Sequence, residues 1–110
     1  RLSRTKEQKL RAQIKNDLLD QLTRNGTEGE YFIDLVSDYI NMWETKNKLI
    51  EDIKRRGVSV ESYSSAGTNL KKNDSVDQLI KINAQMLKLL DSLGIKPSTE
   101  DQTDGEGIDL

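Results

Sequence analysis

The sequence predicts an all-α protein of three helices. The second and third form a long antiparallel hairpin, joined by an extended linker or a small β-hairpin, and the whole is oligomeric. Three observations carry this reading. Apolar residues recur at helical spacing in three separate segments. The two longest segments bracket an 18-residue connection, residues 57–74. The chain has 110 residues, 34% of them hydrophobic and 33% charged, so it is short of apolar residues for a globular domain of its size. Thin helices with apolar faces are then better buried against further copies than within one chain.

The first helix spans residues 5–24. Thr5 and Gln8 suit a capping box at its start. Leu10, Ile14, Leu18 and Leu22 recur every four residues, with Leu19 widening the stripe. Basic residues crowd its first half, where they oppose the helix dipole, so they serve something other than helix stability. Asn25 and Gly26 end it, because both tolerate positive φ. The second helix spans residues 30–56, with Thr27 as cap and Glu30 at the third helical position. Its stripe is Phe32, Leu35, Val36, Tyr39, Ile40, Trp43, Ile50 and Ile53, joined by Leu49. Gly57 stops it, with Ile53 and Val58 placed to meet in a Schellman motif. Arg55 and Arg56 in the last turn suit the dipole.

In the connection, Val58, Val60 and Tyr63 alternate with polar residues, a short strand pattern. Ser64, Ser65, Gly67, Asn69 and Asn73 then signal irregular backbone. The third helix spans residues 75–93, with Asp74 and Asp77, or Ser75 and Gln78, as its start signal. Val76, Leu79, Ile80, Asn83, Met86, Leu87, Leu90 and Leu93 form its stripe. Ile82 and Leu89 widen that stripe, so this helix has neighbours on more than one side. Gly94, Ile95 and Pro97 form its stop. The chain divides into a basic N-terminal helix (1–26), a helical-hairpin oligomerisation core (27–97) and an acidic, disordered tail (98–110).

Chemistry is bounded by what is missing. Without Cys or His the chain has no disulfide, no thiolate, no His-based zinc site and no Ser-His or Cys-His nucleophile. No apolar run approaches a membrane span. Asp34 and Asp38 lie one turn apart, but solvated carboxylates are a far commoner explanation than a divalent metal. The glycines do not form a phosphate loop. The reading is therefore no enzyme, no catalytic residue, no metal and no cofactor.

The net charge of −2 conceals segregation. Residues 1–15 hold six basic residues against Glu7, and residues 97–110 hold five acidic residues and no basic one. Arg4, Lys6, Lys9, Arg11 and Lys15 lie on a helix able to run along a phosphate backbone. Arg55, Arg56, Lys71 and Lys72 bracket the connection and are the second candidate for phosphate contact. The tail, with Glu100, Asp101, Asp104, Glu106, Ile108, Asp109 and Leu110, is a candidate linear motif for a protein partner. Tyr31, Phe32, Tyr39 and Trp43 have the spacing of a core stripe, which is favoured over base stacking.

The order of motifs resembles a known family. Tyr31-Phe32-Ile33-Asp34-Leu35-Val36-Ser37-Asp38-Tyr39-Ile40-Asn41-Met42-Trp43-Glu44 opens a helix that runs to Gly57. A short extended stretch, Gly67 and a polar break at Asn73 follow, and the last helix ends in Leu93-Gly94-Ile95-Lys96-Pro97-Ser98. Residues 30–98 resemble the small subunits of tailed-phage terminases whose last core helix ends in a Leu-Gly-hydrophobic-x-Pro-Ser pattern. Asp74 stands where that family often has Pro, and the acidic tail replaces an Arg/Ala-rich continuation. The resemblance implies a ring-forming homo-oligomer in the host cytoplasm, a DNA-recognition and regulatory component of the genome-packaging motor. Its partners would be double-stranded viral DNA and the terminase large subunit, which holds the catalysis. The alternative is a protein-only helical oligomerisation or adaptor module.

Overall fold

The computed structural model describes residues 2–96, with side chains from Lys6 onward. Three helices and one hairpin follow in order: α1 (Leu2–Arg24), α2 (Glu30–Arg56), β1 (Ser59–Ser64), β2 (Gly67–Lys72) and α3 (Asp74–Leu93). The fold is mostly helical but not purely so. The connection left open between linker and hairpin is an antiparallel β-hairpin, in register from Ser59↔Lys72 to Ser64↔Gly67.

The helix stops are local and follow the glycines. Gly26 has φ 74°, and the Thr27 N–H donates to the Leu22 carbonyl at 2.8 Å. Gly94 has φ 70°, and the Ile95 N–H donates to Leu90 at 3.0 Å. Both are Schellman stops. Gly57 is different. Its own N–H donates to Ile53 at 2.7 Å, and with φ 85° and ψ 178° it sends the chain straight into β1. Val58 is left exposed, so the predicted Ile53–Val58 contact gives way to strand geometry.

The helix starts depart from expectation. Thr5 lies inside α1, which already begins at Leu2. Gly29, not Thr27, caps α2 and makes no side-chain bond. Asn73, not Asp74 or Ser75, caps α3; its side chain accepts from the Ser75 N–H at 3.0 Å. In the hairpin turn, Ser65 and Ala66 avoid positive φ, and Gly67 takes it at 121°.

The apolar core sits at one end. Leu18 and Leu22 of α1 meet Val36 of α2 and Leu93 of α3, with Ile14, Leu35, Leu90 and Ile95 packed around them. Ile40, Trp43 and Met86 are buried further along the helical pair. α1 therefore lies against the helical pair of its own chain. Phe32 and Tyr39 pack on this core, whereas Tyr31 is exposed and meets Phe32 edge-on, ring centroids 5.3 Å apart.

Candidate nucleic-acid interface

The opposite end of the molecule is polar and has Asp52 at its centre. The last turn of α2, the base of the hairpin and the first turn of α3 converge there because Gly57 and Asn73 redirect the chain. The Asp52 carboxylate accepts from Arg56 twice (Nε to Oδ1 and Nη2 to Oδ2, both 2.8 Å), from Arg55 at 2.9 Å and from Ser75 Oγ at 2.7 Å. Asn73 Nδ2 donates to the same carboxylate at 3.2 Å and to the Gly57 carbonyl at 2.9 Å. Asn73 Oδ1 also accepts from Arg56 at 3.1 Å, and its backbone N–H donates to Val58 at 2.8 Å. Asn73 is fully buried, at 0% exposure. The bonds from Arg56 foremost, then from Ser75, hold the Asp52 carboxyl well below the usual carboxylate range, and Asp52 raises the Arg56 guanidinium in return.

This network engages two of the predicted phosphate contacts. Arg56 is held by two parallel bonds, the geometry a phosphate would otherwise receive from it. Arg55 shares the same carboxylate but keeps a largely exposed side chain. Lys72 reaches across to Asp77 at 2.8 Å, which lowers the Asp77 pKa. Lys71 is exposed on the other face of the hairpin.

On α1, Lys6 and Lys9 are exposed, one turn apart. Lys15 is half-buried. Arg11 faces α2, where its Nε lies 2.7 Å from the Glu44 carboxylate without aligning its N–H on it. The side chain of Arg4 and the tail residues Glu100, Asp101, Asp104, Glu106, Ile108, Asp109 and Leu110 lie outside the described residues.

An open groove of about 310 Å³ separates the start of α1 from the end of α2, lined by Glu7, Asn47, Lys48, Glu51, Asp52 and Arg55. It brings the first turns of α1 to the end that carries Arg55. Lys48 was missed in the sequence; its spacing of seven residues from Arg55, which puts both on one helix face, was the available signal. The arrangement can offer cations to an extended anion: Lys48 and Arg55 on the groove among its carboxylates, with Lys6 and Lys9 exposed in the neighbouring turns of α1. Among the described residues no group of three or more Asp or Glu is placed to hold a metal ion, and no helix is long and apolar enough to cross a membrane.

The family model described as phage terminase, small subunit, matches residues 13–108. The chain belongs to that family. No curated protein and no solved structure matches it. As a terminase small subunit the chain is a component of phage genome packaging, a process of the infected host cell. The match divides the candidate cations of this small subunit. Arg4, Lys6, Lys9 and Arg11 precede the matched segment, whereas Lys15, Arg55, Arg56, Lys71 and Lys72 fall within it. It also extends across most of the acidic tail, which the motif pattern had left outside the resemblance.

Proposed function

We propose that this small subunit forms a ring in the host cytoplasm that recognises double-stranded viral DNA and regulates the large subunit, without catalysis of its own. The family membership carries this reading. Lys48 and Arg55 on the groove, and the exposed Lys6 and Lys9 in the α1 turns that border it, support DNA contact at this end of the molecule. Phosphate contacts through a few lysines give salt-sensitive, weakly sequence-selective binding. A gel shift with duplex DNA at low and moderate salt tests this. Lys6→Gln/Lys9→Gln should weaken binding and reduce the salt slope by about 2 if each lysine neutralises one phosphate. Unchanged affinity and slope would remove α1 from the DNA contact.

The tail at 98–110 is proposed to dock on the large subunit through its acidic residues and Ile108 and Leu110. Removing residues 99–110 should abolish co-purification with the large subunit and leave the assembly mass unchanged. A truncated chain that still co-purifies rules the tail out. The intramolecular engagement of Arg11, Arg56 and Lys72 favours the second reading, a protein-only oligomerisation module. That module would leave duplex DNA unshifted at low salt.

A further inference from the structure

α3 has two apolar seams, and the second is only partly covered within the chain: Val76 and Asn83 are half-buried, Ile80 and Leu87 exposed. Met86 and Leu93 are buried, with Leu79, Ile82 and Leu90 half-buried, on the side that packs against α2 and the core. The other seam runs through Val76, Ile80, Asn83 and Leu87. Its spacing of four, three and four residues is the alternation of facing positions in a coiled coil. Ile80 and Leu87 are 62% and 68% exposed.

The hairpin adds to this face. Tyr63 and Leu70, 75% and 73% exposed, share one side of the hairpin with Lys72. Lys72 bonds to Asp77 beside the seam, so the apolar side of the hairpin and the outer seam of α3 flank each other. A two-stranded hairpin is marginal without packing on one of its faces, and this one has only Val60 and Ser62 half-buried, both on the side away from Tyr63 and Leu70.

We propose that the outer seam of α3, together with the Tyr63–Leu70 face of the hairpin, is the surface on which a second copy of this chain docks; the inference rests on the ring reading above and assigns its contact. Three features select a second copy. The spacing of the seam calls for a helix, with the polar Asn83 setting register. The rim beside the seam carries Asp77, Lys81, Lys88 and Asp91, two of each sign. Such a rim attracts no polyanion and tolerates a copy with the same mixture. The four exposed side chains offer roughly 500–600 Å² in all, a large share of the roughly 800 Å² per partner in a stable interface.

Light scattering on the full chain tests this. The wild type should have a mass several times that of the monomer. Ile80→Glu/Leu87→Glu should fall to monomer mass with its helical circular dichroism intact. Ile33→Glu, at an exposed site near the start of α2, should leave the mass unchanged. If the double variant loses helicity, Ile80→Ser/Leu87→Ser takes its place under the same readout. An assembled wild type whose seam variant keeps its mass overturns this inference and leaves the ring reading standing. A monomeric wild type at micromolar concentration overturns both.

Discussion

Replacing Asn73 by Ala removes the side chain that ties three elements together. Its Oδ1 caps α3 by accepting from Ser75 N–H, and loss of such a cap costs about 1 kcal/mol. Its Nδ2 donates to the Gly57 carbonyl and the Asp52 carboxylate. Leaving the part-buried Gly57 carbonyl without that donor adds about 1–2 kcal/mol. Because Asn73 is 0% exposed, water does not replace the lost partners without opening the site. The expected total is about 2–3 kcal/mol. With a urea slope of about 1–3 kcal/mol/M, the unfolding midpoint should fall by about 0.7–3 M.

Circular dichroism in urea, at one fixed protein concentration because assembly adds concentration-dependent stability, reads this directly. Asn73→Ser separates the two contributions. Serine caps as well as asparagine but is too short to carry the amide donor, so the cap's share should be kept and only the donor's, about 1–2 kcal/mol, should be lost. A loss below about 1 kcal/mol for Asn73→Ala, or equal losses for both variants, would refute the assignment of Asn73 as cap and tie together.

Two further outcomes follow from the same geometry. Asp52 is held below the usual carboxylate range, so its stabilising contribution is complete above about pH 4 and is lost as pH falls toward its folded value. The urea midpoint should therefore decline from about pH 4 downward, and Asp52→Asn should flatten that decline without abolishing it, because Asp77 is shifted in the same direction by Lys72; a decline as steep in the variant as in the wild type would contradict the role given to Asp52. Gly94→Ala meets no neighbouring atom but must hold φ 70°, so thermal melting should show a loss of about 1 kcal/mol, and a neutral or stabilising change would contradict the left-handed stop.

What could be read from the sequence was mostly local. The ends of α1, α2 and α3 at Arg24, Arg56 and Leu93 follow from Gly26, Gly57 and Gly94, because a helix stop depends on neighbours within a turn. The starts were harder. Thr27, Asp74 and Ser75 all carry capping chemistry, and only the hairpin selects Asn73, whose N–H donates to Val58 and whose side chain accepts from Arg56 seventeen residues earlier in the chain. Asp52 was invisible as a hub because its partners Asn73 and Ser75 lie 21 and 23 residues away. The hairpin stayed undecided because β2 is exposed along its whole length and so lacks the alternation that marks a half-buried strand. The candidate interface was legible as charge but not as available charge. Nothing in residues 55 and 56 says that a carboxylate one turn earlier engages both guanidinium groups.

That distinction limits what one subunit can do. With Arg56 and Lys72 committed to Asp52 and Asp77, and Arg11 beside Glu44, a single copy offers DNA chiefly Lys6, Lys9, Lys48 and a shared Arg55. Two or three phosphate contacts give a salt slope of only about −2 to −3 and weak binding near physiological salt. Copies held in one assembly change this without any new contact, because each further engagement is intramolecular and overall binding can exceed the single-site affinity by about 10²–10⁴. On the proposed reading, assembly through the outer seam of α3 and DNA binding through α1 are therefore one dependence. Ile80→Glu/Leu87→Glu, which touches no candidate DNA contact, should abolish the gel shift at moderate salt while leaving a weak shift at low salt. Undiminished binding by the monomeric variant would show that the cations of one subunit suffice, and that the ring serves something else.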